Sequence, residues 1–581
     1  MTRRGHAVAL GLLGLAGCVQ QPQASPQVAA PPAAPVEVQI LAINDFHGNL
    51  EPPKRSVEAL GPGGATVQVP AGGVAHLAAA AKALRSRVAH SVTVSAGDMI
   101  GASPLVSALF LDEPTIEAME EVGVDYNAVG NHEFDKGSAE LVRMQRGGCG
   151  KHTTRQPCRI EPFDGASFRF LAANVLTRSG GTLFPGTAVK NFGPVQLGFI
   201  GMTLKETATV VTPAGVAGLT FADEAATANA AVPALKAAGA DAIIVLLHQG
   251  GRTTGGYNDK SCPEFSGDIL PILERLDPEI DVVVSGHTHA AYICEIPRAG
   301  ARPLLVTSAG QYGTLVTDIR LTFSPQETLV AHRADNVIVQ GESYTAGSTT
   351  VATVPSFPVY AADAATKALV DRYVAASASE AARVVGRLSG PATRELTEDR
   401  EQTGGNLIAD AQLAATRDEG AQIAFINSGG VRSDVVPARD GSVTYGQIFA
   451  MQPFGNNLVV KTLTGAQLKT LLEQQFASGT NTAERPNMLL PSRGFFFAYD
   501  LGRAAGDRIM GMRLNGRPID PAARFRVTVN NFMASGGDNF TVLAQGNNTV
   551  DAGLDLDALE AFLKPGATVP ATDRIEDRTR R

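Results

Sequence analysis

The chain has 581 residues, which is too long for one hydrophobic core and predicts two or more domains. Hydrophobic residues make up 44% of it, an ordinary share for a globular protein. The formal net charge of -8 at pH 7 argues against a general nucleic-acid-binding protein, because such binding needs basic groups that neutralise phosphates. An anionic substrate would therefore have to be attracted locally, by metal ions and a few arginines.

Residues 1–17 are predicted to be a signal segment that processing removes. Arg3 and Arg4 precede an apolar run that is too short to span a bilayer. Small residues then precede Cys18, and this pattern resembles a bacterial lipobox. The resemblance implies cleavage before Cys18, lipidation of that cysteine and anchoring in the bacterial envelope, with Val19 favouring the outer membrane. The alternative is an ordinary secretory signal with a chance cysteine.

Residues 18–35 are rich in Pro, Gln and Ala, which predicts a flexible tether. A first domain is then predicted over residues 36–338. Strand-like runs alternate there with helical stretches at 74–88 and 224–238, a pattern typical of a layered α/β domain. Three further strands are predicted at 168–175, 195–202 and 303–308.

Five more apolar runs predict strands, and a polar motif directly follows each of them. The runs cover residues 38–43, 92–95, 126–129, 243–247 and 280–284. Ligands of open α/β sheets bind outside the carboxyl ends of the strands, so we expect the motifs to meet. Their carboxylate, imidazole and amide groups suit Zn, Mn or similar divalent ions. These candidate ligands are Asp45, His47, Asp98, Asn131, His248, His287 and His289.

Taken in order, the motifs resemble those of the calcineurin-like metallophosphoesterases. The resemblance implies a four-layer α/β/β/α domain with two divalent metal ions. Asp98 would bridge the two ions. The first ion would also bind Asp45, His47 and His289, and the second would also bind Asn131, His248 and His287. His132, oriented by Asp135, would be the catalytic residue that stabilises the transition state. A two-metal-activated hydroxide would attack phosphorus in line.

Residues 339–383 are predicted to link two domains through a hinge helix at 361–383. A second domain, predicted over residues 384–563, mixes helix with strand. Its helices are expected at 405–415 and 465–476, and its strands at 423–427, 458–462 and 525–530. Residues 564–581 are predicted to be a tail, which is charged and frayed from about Thr568.

Three motifs in the second domain indicate where a substrate binds. A glycine-rich turn runs from Asn427 to Arg432, and arginine offers a planar fork for phosphate. Phe454 and Phe532 lie on turn-like stretches and could stack on the two faces of a flat base. Asp538 could accept hydrogen bonds from ribose hydroxyls.

Together these motifs resemble the C-terminal domain of bacterial UDP-sugar hydrolases and 5'-nucleotidases. The resemblance implies an α/β substrate-binding domain with Phe454 and Phe532 around the base and Asp538 on the ribose. Asn427 and Arg432 would hold the phosphate. It also implies that the domains rotate during turnover, to carry the substrate to the metals.

One position departs from the family pattern. Arg394 fits the first of two arginine positions, but Glu398 occupies the second. An acid there would repel a terminal phosphate, and Arg400 is close enough in sequence to be a substitute. The departure leaves the preferred phosphoester open.

The predicted function is a secreted, metal-dependent phosphohydrolase that releases phosphate from 5'-nucleotides. The alternatives within this chemistry are a 2',3'-cyclic-nucleotide phosphodiesterase with 3'-nucleotidase activity and a UDP-sugar hydrolase. A thiosulfohydrolase and a non-catalytic nucleotide-binding lipoprotein are more distant alternatives. The expected partner is a nucleotide and not a nucleic acid polymer, and membrane contact is expected only through a lipid on Cys18. The oligomeric state stays open.

Besides Cys18, the chain has four cysteines, which allow three disulfide pairings. The local pairs Cys149–Cys158 and Cys262–Cys294 are favoured. Disulfides suit an exported protein, and reduced, buried thiols are the alternative.

Overall fold

The computed structural model describes residues 1–2, 34–153, 155–346 and 349–579. Its first domain contains two six-stranded sheets. In spatial order, the strands of the first sheet are Leu329–Ile338, Leu315–Phe323, Val36–Ile43, Ser91–Ser95, Tyr126–Ala128 and Arg169–Leu171. Those of the second sheet are Ala291–Ile296, Leu304–Ala309, Ile280–Ser285, Ala242–Leu247, Gln196–Met202 and Thr187–Asn191.

Apolar side chains from both sheets form the core between them. Ile40 and Val94 of the first sheet share one buried cluster with Leu197 and Ile244 of the second. Helices cover the two outer faces, which gives the four α/β/β/α layers and confirms the predicted fold. The first sheet is covered by Val74–Arg85, Glu113–Val122 and Ser138–Arg146, and the second by Glu224–Ala237 and Leu270–Leu273.

Parallel pairing brings the polar motifs to one edge of the two sheets. Strand Val36–Ile43 runs parallel to Ser91–Ser95, which runs parallel to Tyr126–Ala128. In the second sheet, Ala242–Leu247 runs parallel to both Gln196–Met202 and Ile280–Ser285. Layers on both faces bury most residues of these strands, which explains their nearly continuous apolar sequences.

The second domain contains a five-stranded sheet and a four-stranded sheet. The first has the order Leu489–Pro491, Ile423–Asn427, Arg524–Asn530, Asn457–Thr464 and Asn547–Leu554; the second has Arg517–Pro518, Ile509–Leu514, Phe495–Tyr499 and Ile575–Asp577. Its helices are Thr403–Ala415, Tyr445–Met451, Gly465–Glu473, Asn531–Ala534 and Asp555–Leu563. These α/β elements confirm the fold class predicted for this part of the chain.

The predicted hinge helix spans Ala364–Ala382 and contacts both domains. Tyr373 packs against Phe110 of the first domain, with 5.0 Å between the ring centroids. Just after the helix, Arg383 Nη1 lies 2.6 Å from Glu560 Oε1 of the second domain. A rotation between the domains would therefore change the contacts of this helix with at least one of them. That rotation stays a prediction.

Four two-stranded ribbons and several short helices complete the described secondary structure. The ribbons pair Arg55–Leu60 with Thr66–Ala71, Val175–Thr177 with Leu219–Phe221, Tyr344–Ala346 with Thr349–Val351, and Val384–Arg387 with Ser442–Thr444. The short α-helices are Leu105–Ala108 and Thr207–Val210. The 3-10 turns are Pro62–Gly64, His132–Phe134, Pro213–Val216, Arg417–Glu419, Ser428–Gly430, Gly537–Asn539 and Thr541–Gln545.

The tail prediction for residues 564–581 is wrong over the part that the structure describes. Ile575–Asp577 pairs in parallel with Phe495–Tyr499 at the edge of a sheet. Just before it, the buried Arg574 makes two contacts of 2.9 Å with the carboxylate of Asp410. This bidentate ion pair fixes a segment whose charge had suggested fraying.

The single strand predicted at 168–175 is also wrong, because the structure has Arg169–Leu171 and Val175–Thr177 there. Asn174 interrupts the run. Its Nδ2 donates to the carbonyl oxygens of Thr203 at 2.7 Å and Ala222 at 3.1 Å, and its Oδ1 accepts the Thr203 N–H. These side-chain bonds fix the backbone outside the sheet.

Both favoured disulfides are present, Cys149–Cys158 and Cys262–Cys294. The second joins the long loop after Ala242–Leu247 to the strand Ala291–Ile296. The predicted signal segment, Cys18 and most of the tether lie outside the described residues. Within the described ranges, every helix is too short or too polar to cross a bilayer.

Candidate active site

The predicted metal ligands form two groups where the parallel strands end. The donor atoms of each group lie within 4.8 Å of one another, and the groups are Asp45, His47 and His289, and Asp98, His248 and His287. The seventh predicted ligand, Asn131, places its Oδ1 3.1 Å from His248 Nε2. The structure thus brings all seven side chains together.

Asp98 stands between the two groups. Its Oδ2 lies 3.0 Å from Nε2 of His248 and 3.7 Å from Nε2 of His47. Its Oδ1 accepts the backbone N–H of His132 at 2.8 Å. One carboxylate therefore faces both groups, as a bridging ligand must.

Backbone carbonyls orient two of the imidazoles. Nδ1 of His47 lies 2.9 Å from the Gly101 oxygen, and Nδ1 of His248 lies 2.8 Å from the Ala96 oxygen. A proton on each Nδ1 would donate to that oxygen and leave Nε2 free to bind a metal.

The electrostatics of the ligand groups also suit cations. Burial lowers the pKa of His47 to about 3 and of His287 to about 4, which keeps both in the neutral form that binds metals. Burial opposes a charge on His248 as well, but the carboxylates of Asp98, Asp45 and Glu133 together raise the pKa of His248 to about 10. Metal binding at His248 would therefore displace a proton.

The donor set fits two divalent cations. Asp45 and Asp98 are 0% and 1% exposed. In the part of the chain that the structure describes, their ion pairs are with histidines and not with Lys or Arg. Buried carboxylates need a compensating cation, and mixed nitrogen and oxygen donors suit Zn, Mn or Fe.

Five of the seven predicted metal ligands have a left-handed backbone conformation. The residues are Asp45 (φ 47°), His47 (φ 48°), Asp98 (φ 52°), His287 (φ 69°) and His289 (φ 58°). Such conformations are uncommon for residues with a Cβ and concentrate at functional sites. The surrounding hydrogen bonds therefore hold the loops in place at some cost in local stability.

His132 lies beside both ligand groups without belonging to either. Its Nδ1 is 2.9 Å from Asp135 Oδ2, and the same oxygen accepts the backbone N–H of Ala102 at 3.1 Å. Burial opposes protonation of His132, but Asp135 and then Asp98 outweigh it and raise its pKa. The structure thus makes the predicted contact with Asp135 and favours a charged ring.

Glu133 is a site residue that the sequence reasoning missed. Its buried carboxylate accepts the backbone N–H groups of Asp98 at 2.9 Å, Met99 at 2.8 Å and Gly130 at 2.7 Å. A Cβ on Gly130 would lie 2.3 Å from Asp98 Oδ1, so glycine permits this close approach. The motif itself was the available signal, since Glu133 directly follows His132. Glu133 ties two strand ends together and so positions Asp98.

The predicted substrate residues come from loops at one edge of the five-stranded sheet. Ile423–Asn427 runs parallel to Arg524–Asn530, which runs antiparallel to Asn457–Thr464. The carboxyl ends of Ile423–Asn427 and Arg524–Asn530 therefore lie at the same edge as the start of Asn457–Thr464. This edge carries Asn427, Arg432, Phe454, Phe532 and Asp538.

These five residues line a cavity of about 280 Å³ between the domains. Its other wall includes Asn131, His132, Asp135 and His287. The ring of Phe454 stacks on that of His132, with 6.0 Å between centroids and 17° between planes. The aromatic loops therefore face the metal ligands directly in this arrangement of the domains.

Polar contacts organise the second-domain wall. Asn427 Nδ2 donates to Asp538 Oδ2 at 2.6 Å, and burial raises the pKa of Asp538. The Arg432 guanidinium carbon lies 5.8 Å from the Phe454 ring centroid. Asn427 thus contacts Asp538 directly, a contact that the sequence did not predict.

Arg394 lines a neighbouring cavity together with Arg432. Its Nη1 donates to the Arg432 carbonyl oxygen at 3.2 Å. Neither Glu398 nor Arg400 lines these two cavities. Arg400 lies outside both cavities, near Tyr499, so the suggestion that it substitutes there for a missing arginine is wrong.

Comparisons with known proteins agree with this architecture. The family model for the calcineurin-like phosphoesterases matches residues 38–291, and the model for the 5'-nucleotidase C-terminal domain matches residues 384–545. Endonuclease YhcR of Bacillus subtilis (strain 168) is 28% identical over 536 residues, which are 92% of this chain but 40% of that protein. This chain thus spans less than half of that relative's length.

Two other relatives match over nearly their whole length. The 5'-nucleotidase of Bos taurus is 25% identical over 572 residues, 92% of this chain and 89% of that protein. The crystal structure of a 5'-nucleotidase precursor from Thermus thermophilus superposes with a TM-score of 0.72 at 28% identity, covering 93% of this chain and 99% of that one. The chain therefore belongs to the 5'-nucleotidase family of phosphoester hydrolases, in which a calcineurin-like phosphoesterase domain precedes a 5'-nucleotidase C-terminal domain.

Proposed function

We propose that this protein is an exported, metal-dependent enzyme that releases phosphate from 5'-nucleotides. One observation carries the proposal. Phe454, Phe532 and Asp538 line the same cavity as His132 and His287, so groups suited to a nucleoside face groups suited to phosphoester chemistry.

The cavity residues divide the work of binding between them. Phe454 and Phe532 offer aromatic faces on which a base can stack. Asp538 offers carboxylate oxygens to ribose hydroxyls, and Asn427 holds it by a direct hydrogen bond. Arg432 lines the same cavity and can hold a phosphate by a two-pronged contact. A 5'-nucleotide bound in this way points its phosphate towards the metal ligands.

Two divalent cations would supply Lewis-acid activation of water and of the phosphoryl group. One would be held by Asp45, His47 and His289, and the other by Asp98, Asn131, His248 and His287. His132 supplies the complementary charge from the protein. With Nδ1–H donating to Asp135, Nε2–H can donate to an oxygen of the phosphoester as negative charge develops on it.

A nucleoside-diphosphate-sugar substrate is the second candidate, because a further cavity of about 570 Å³ adjoins the first at His287. It could receive the sugar half of such a molecule. A 2',3'-cyclic nucleotide would use the same base cavity and ligand groups. The paired phenylalanines weigh against a thiosulfohydrolase, and the full set of seven ligands weighs against a non-catalytic binding protein.

The proposal includes export and a lipid anchor on Cys18, in the bacterial envelope. The lipobox-like sequence before Cys18 supports it. Two disulfides also suit an oxidising compartment. Metabolic labelling with a fatty acid would test it, because Cys18→Ser should lose the label while the wild type keeps it.

The proposed activity is tested by phosphate release from 5'-AMP, with 2',3'-cyclic AMP and UDP-glucose alongside. We expect the protein starting after Cys18 to be inactive when metal-stripped and active on 5'-AMP after Mn or Zn is restored. Cleavage of another ester but not of 5'-AMP would mean that the substrate is a different phosphoester, while the proposed metal-dependent hydrolysis holds. Metal-loaded protein that leaves all three intact would contradict the proposal.

We expect Phe532→Ala to weaken nucleotide binding with little change in kcat. Losing one stacking partner should raise KM for 5'-AMP by about tenfold, since base–aromatic stacking is worth about 1–3 kcal/mol. Steady-state kinetics measure the split between KM and kcat. Phe532→Tyr keeps the ring and serves as the matched control. An unchanged KM in Phe532→Ala would remove this residue from the base site.

A further inference from the structure

A second cavity of about 560 Å³ lies beside the nucleotide cavity and is lined by residues of both domains. Arg432 borders both cavities, which makes them neighbours. Arg394 and Arg55 border the second one as well. Three guanidinium groups therefore surround one space next to the site of phosphoester chemistry.

Arg55 reaches this space from the first domain. It begins the ribbon strand Arg55–Leu60, and its guanidinium carbon lies 5.0 Å from the centroid of the Tyr312 ring. That ring lies 6.0 Å from the ring of His47 and 5.9 Å from the ring of His289. One aromatic ring thus separates Arg55 from the first group of metal ligands.

Tyr312 is held in place by that same ligand group. Its backbone N–H donates to the carbonyl oxygen of Asp45 at 2.8 Å. A guanidinium stacked on a fixed ring keeps its N–H edges free for an anion. The position of Arg55 is therefore set by the metal-binding loops of the first domain.

Within the described part of the chain, the three guanidinium groups lack carboxylate partners. Among the ion pairs of the described residues, none includes Arg55, Arg394 or Arg432. Two acids, Glu395 and Asp434, also line the cavity, but Asp434 accepts the backbone N–H of Arg394 at 2.8 Å.

The neighbouring guanidinium groups disfavour the charge on Arg394. Partial burial, followed by the charge of Arg432 and then that of Arg55, lowers the pKa of Arg394. Clustered guanidinium groups that form no direct ion pair with a carboxylate are stabilised by binding an anion. A phosphate dianion is the anion that the adjoining chemistry would provide.

We propose that Arg55 completes, from the first domain, an anion site with Arg394 and Arg432 that holds the terminal phosphate. The assignment rests on the proposed nucleotide hydrolysis. Arg55 would then be a second guanidinium neighbour of Arg394, a role that Glu398 cannot fill. Because Arg55 belongs to the first domain, the anion site would form only while the two domains are in contact.

Isothermal titration calorimetry of inorganic phosphate into the Mn-loaded protein tests this assignment without any turnover. We expect Arg55→Ala to weaken phosphate binding by about tenfold, the effect of one charge-assisted contact, and Arg55→Lys to recover part of it. Adenosine, which has no phosphate, should bind Arg55→Ala as it binds the wild type. Arg333→Ala is the matched control, because Arg333 pairs with Glu37 at the start of strand Val36–Ile43, away from the cavity.

Equal phosphate affinity of Arg55→Ala and wild type would overturn the assignment. So would an equal loss in Arg55→Ala and Arg333→Ala, since that would reflect net charge and not a local contact. Failure of the wild type to bind phosphate would overturn it as well. If Arg55→Ala weakens phosphate binding but the wild type does not hydrolyse 5'-AMP, the proposed substrate fails and the anion site stands.

Discussion

Asp98→Ala is expected to lower kcat/KM for 5'-AMP by at least about 1000-fold, the scale expected when transition-state charge stabilisation is lost. Asp98 Oδ2 faces His248 at 3.0 Å and His47 at 3.7 Å, so its loss removes the contact between the two ligand groups. Asp98→Asn should behave similarly, because a neutral amide replaces the negative charge while the size is kept.

Metal content measured by mass spectrometry and folding measured by circular dichroism accompany the kinetics. We expect both Asp98 variants to fold and to bind less metal than the wild type. Asp371→Asn is the matched control, since Asp371 pairs with Lys367 on the exposed face of the hinge helix. Wild-type rates in either Asp98 variant would remove Asp98 from the centre of the site.

The ligand-bearing strands were predictable from the sequence because burial on both faces leaves a simple signature. The run ending at Leu247 is continuously apolar, and the run ending at Ile43 is apolar except for Gln39. A polar motif directly follows each run. Parallel pairing then places such motifs at one edge. Gathering of the seven ligands follows from this rule and from the order of the motifs.

Contacts between segments that are distant in sequence were not predictable in the same way. Arg55 lies in a polar ribbon with no motif, and only the fold brings it near Arg394. Arg400 shows the converse, because it lies close to Arg394 in sequence but outside the cavity that Arg394 lines, near Tyr499. Proximity along the chain is a poor guide to which arginine reaches a cavity, since a long flexible side chain can point to either side of a loop.

Polar side chains that bond internally explain the errors in the secondary structure. Asn174 interrupts an apolar run by bonding to two backbone carbonyls. Arg574 fixes the C-terminal strand through Asp410. Composition identifies such residues only as polar, and the partner that turns them into structural anchors lies far away in sequence.

His132→Ala is expected to lower kcat by about 100- to 10,000-fold, the range that general acid–base catalysis contributes. The His132 ring lies beside both ligand groups, but its Nδ1 donates to Asp135 and the residue belongs to neither group. The His132→Ala variant should therefore keep its bound metals and its KM for 5'-AMP. His90→Ala is the matched control, because the ring of His90 packs against Phe192, with 5.8 Å between centroids, and His90 precedes the strand whose other end leads to Asp98.

Metal content distinguishes His132 from the ligands. Asp98 variants should lose metal and activity together, whereas His132→Ala should lose activity alone, because its side chain belongs to neither ligand group. A His132 variant that also loses metal would make this residue a support for the loop carrying Asn131. A variant that keeps wild-type kcat would leave the transition-state charge to the cations and the arginines. The stack of His132 on Phe454 would then serve the contact between the domains, not the chemistry.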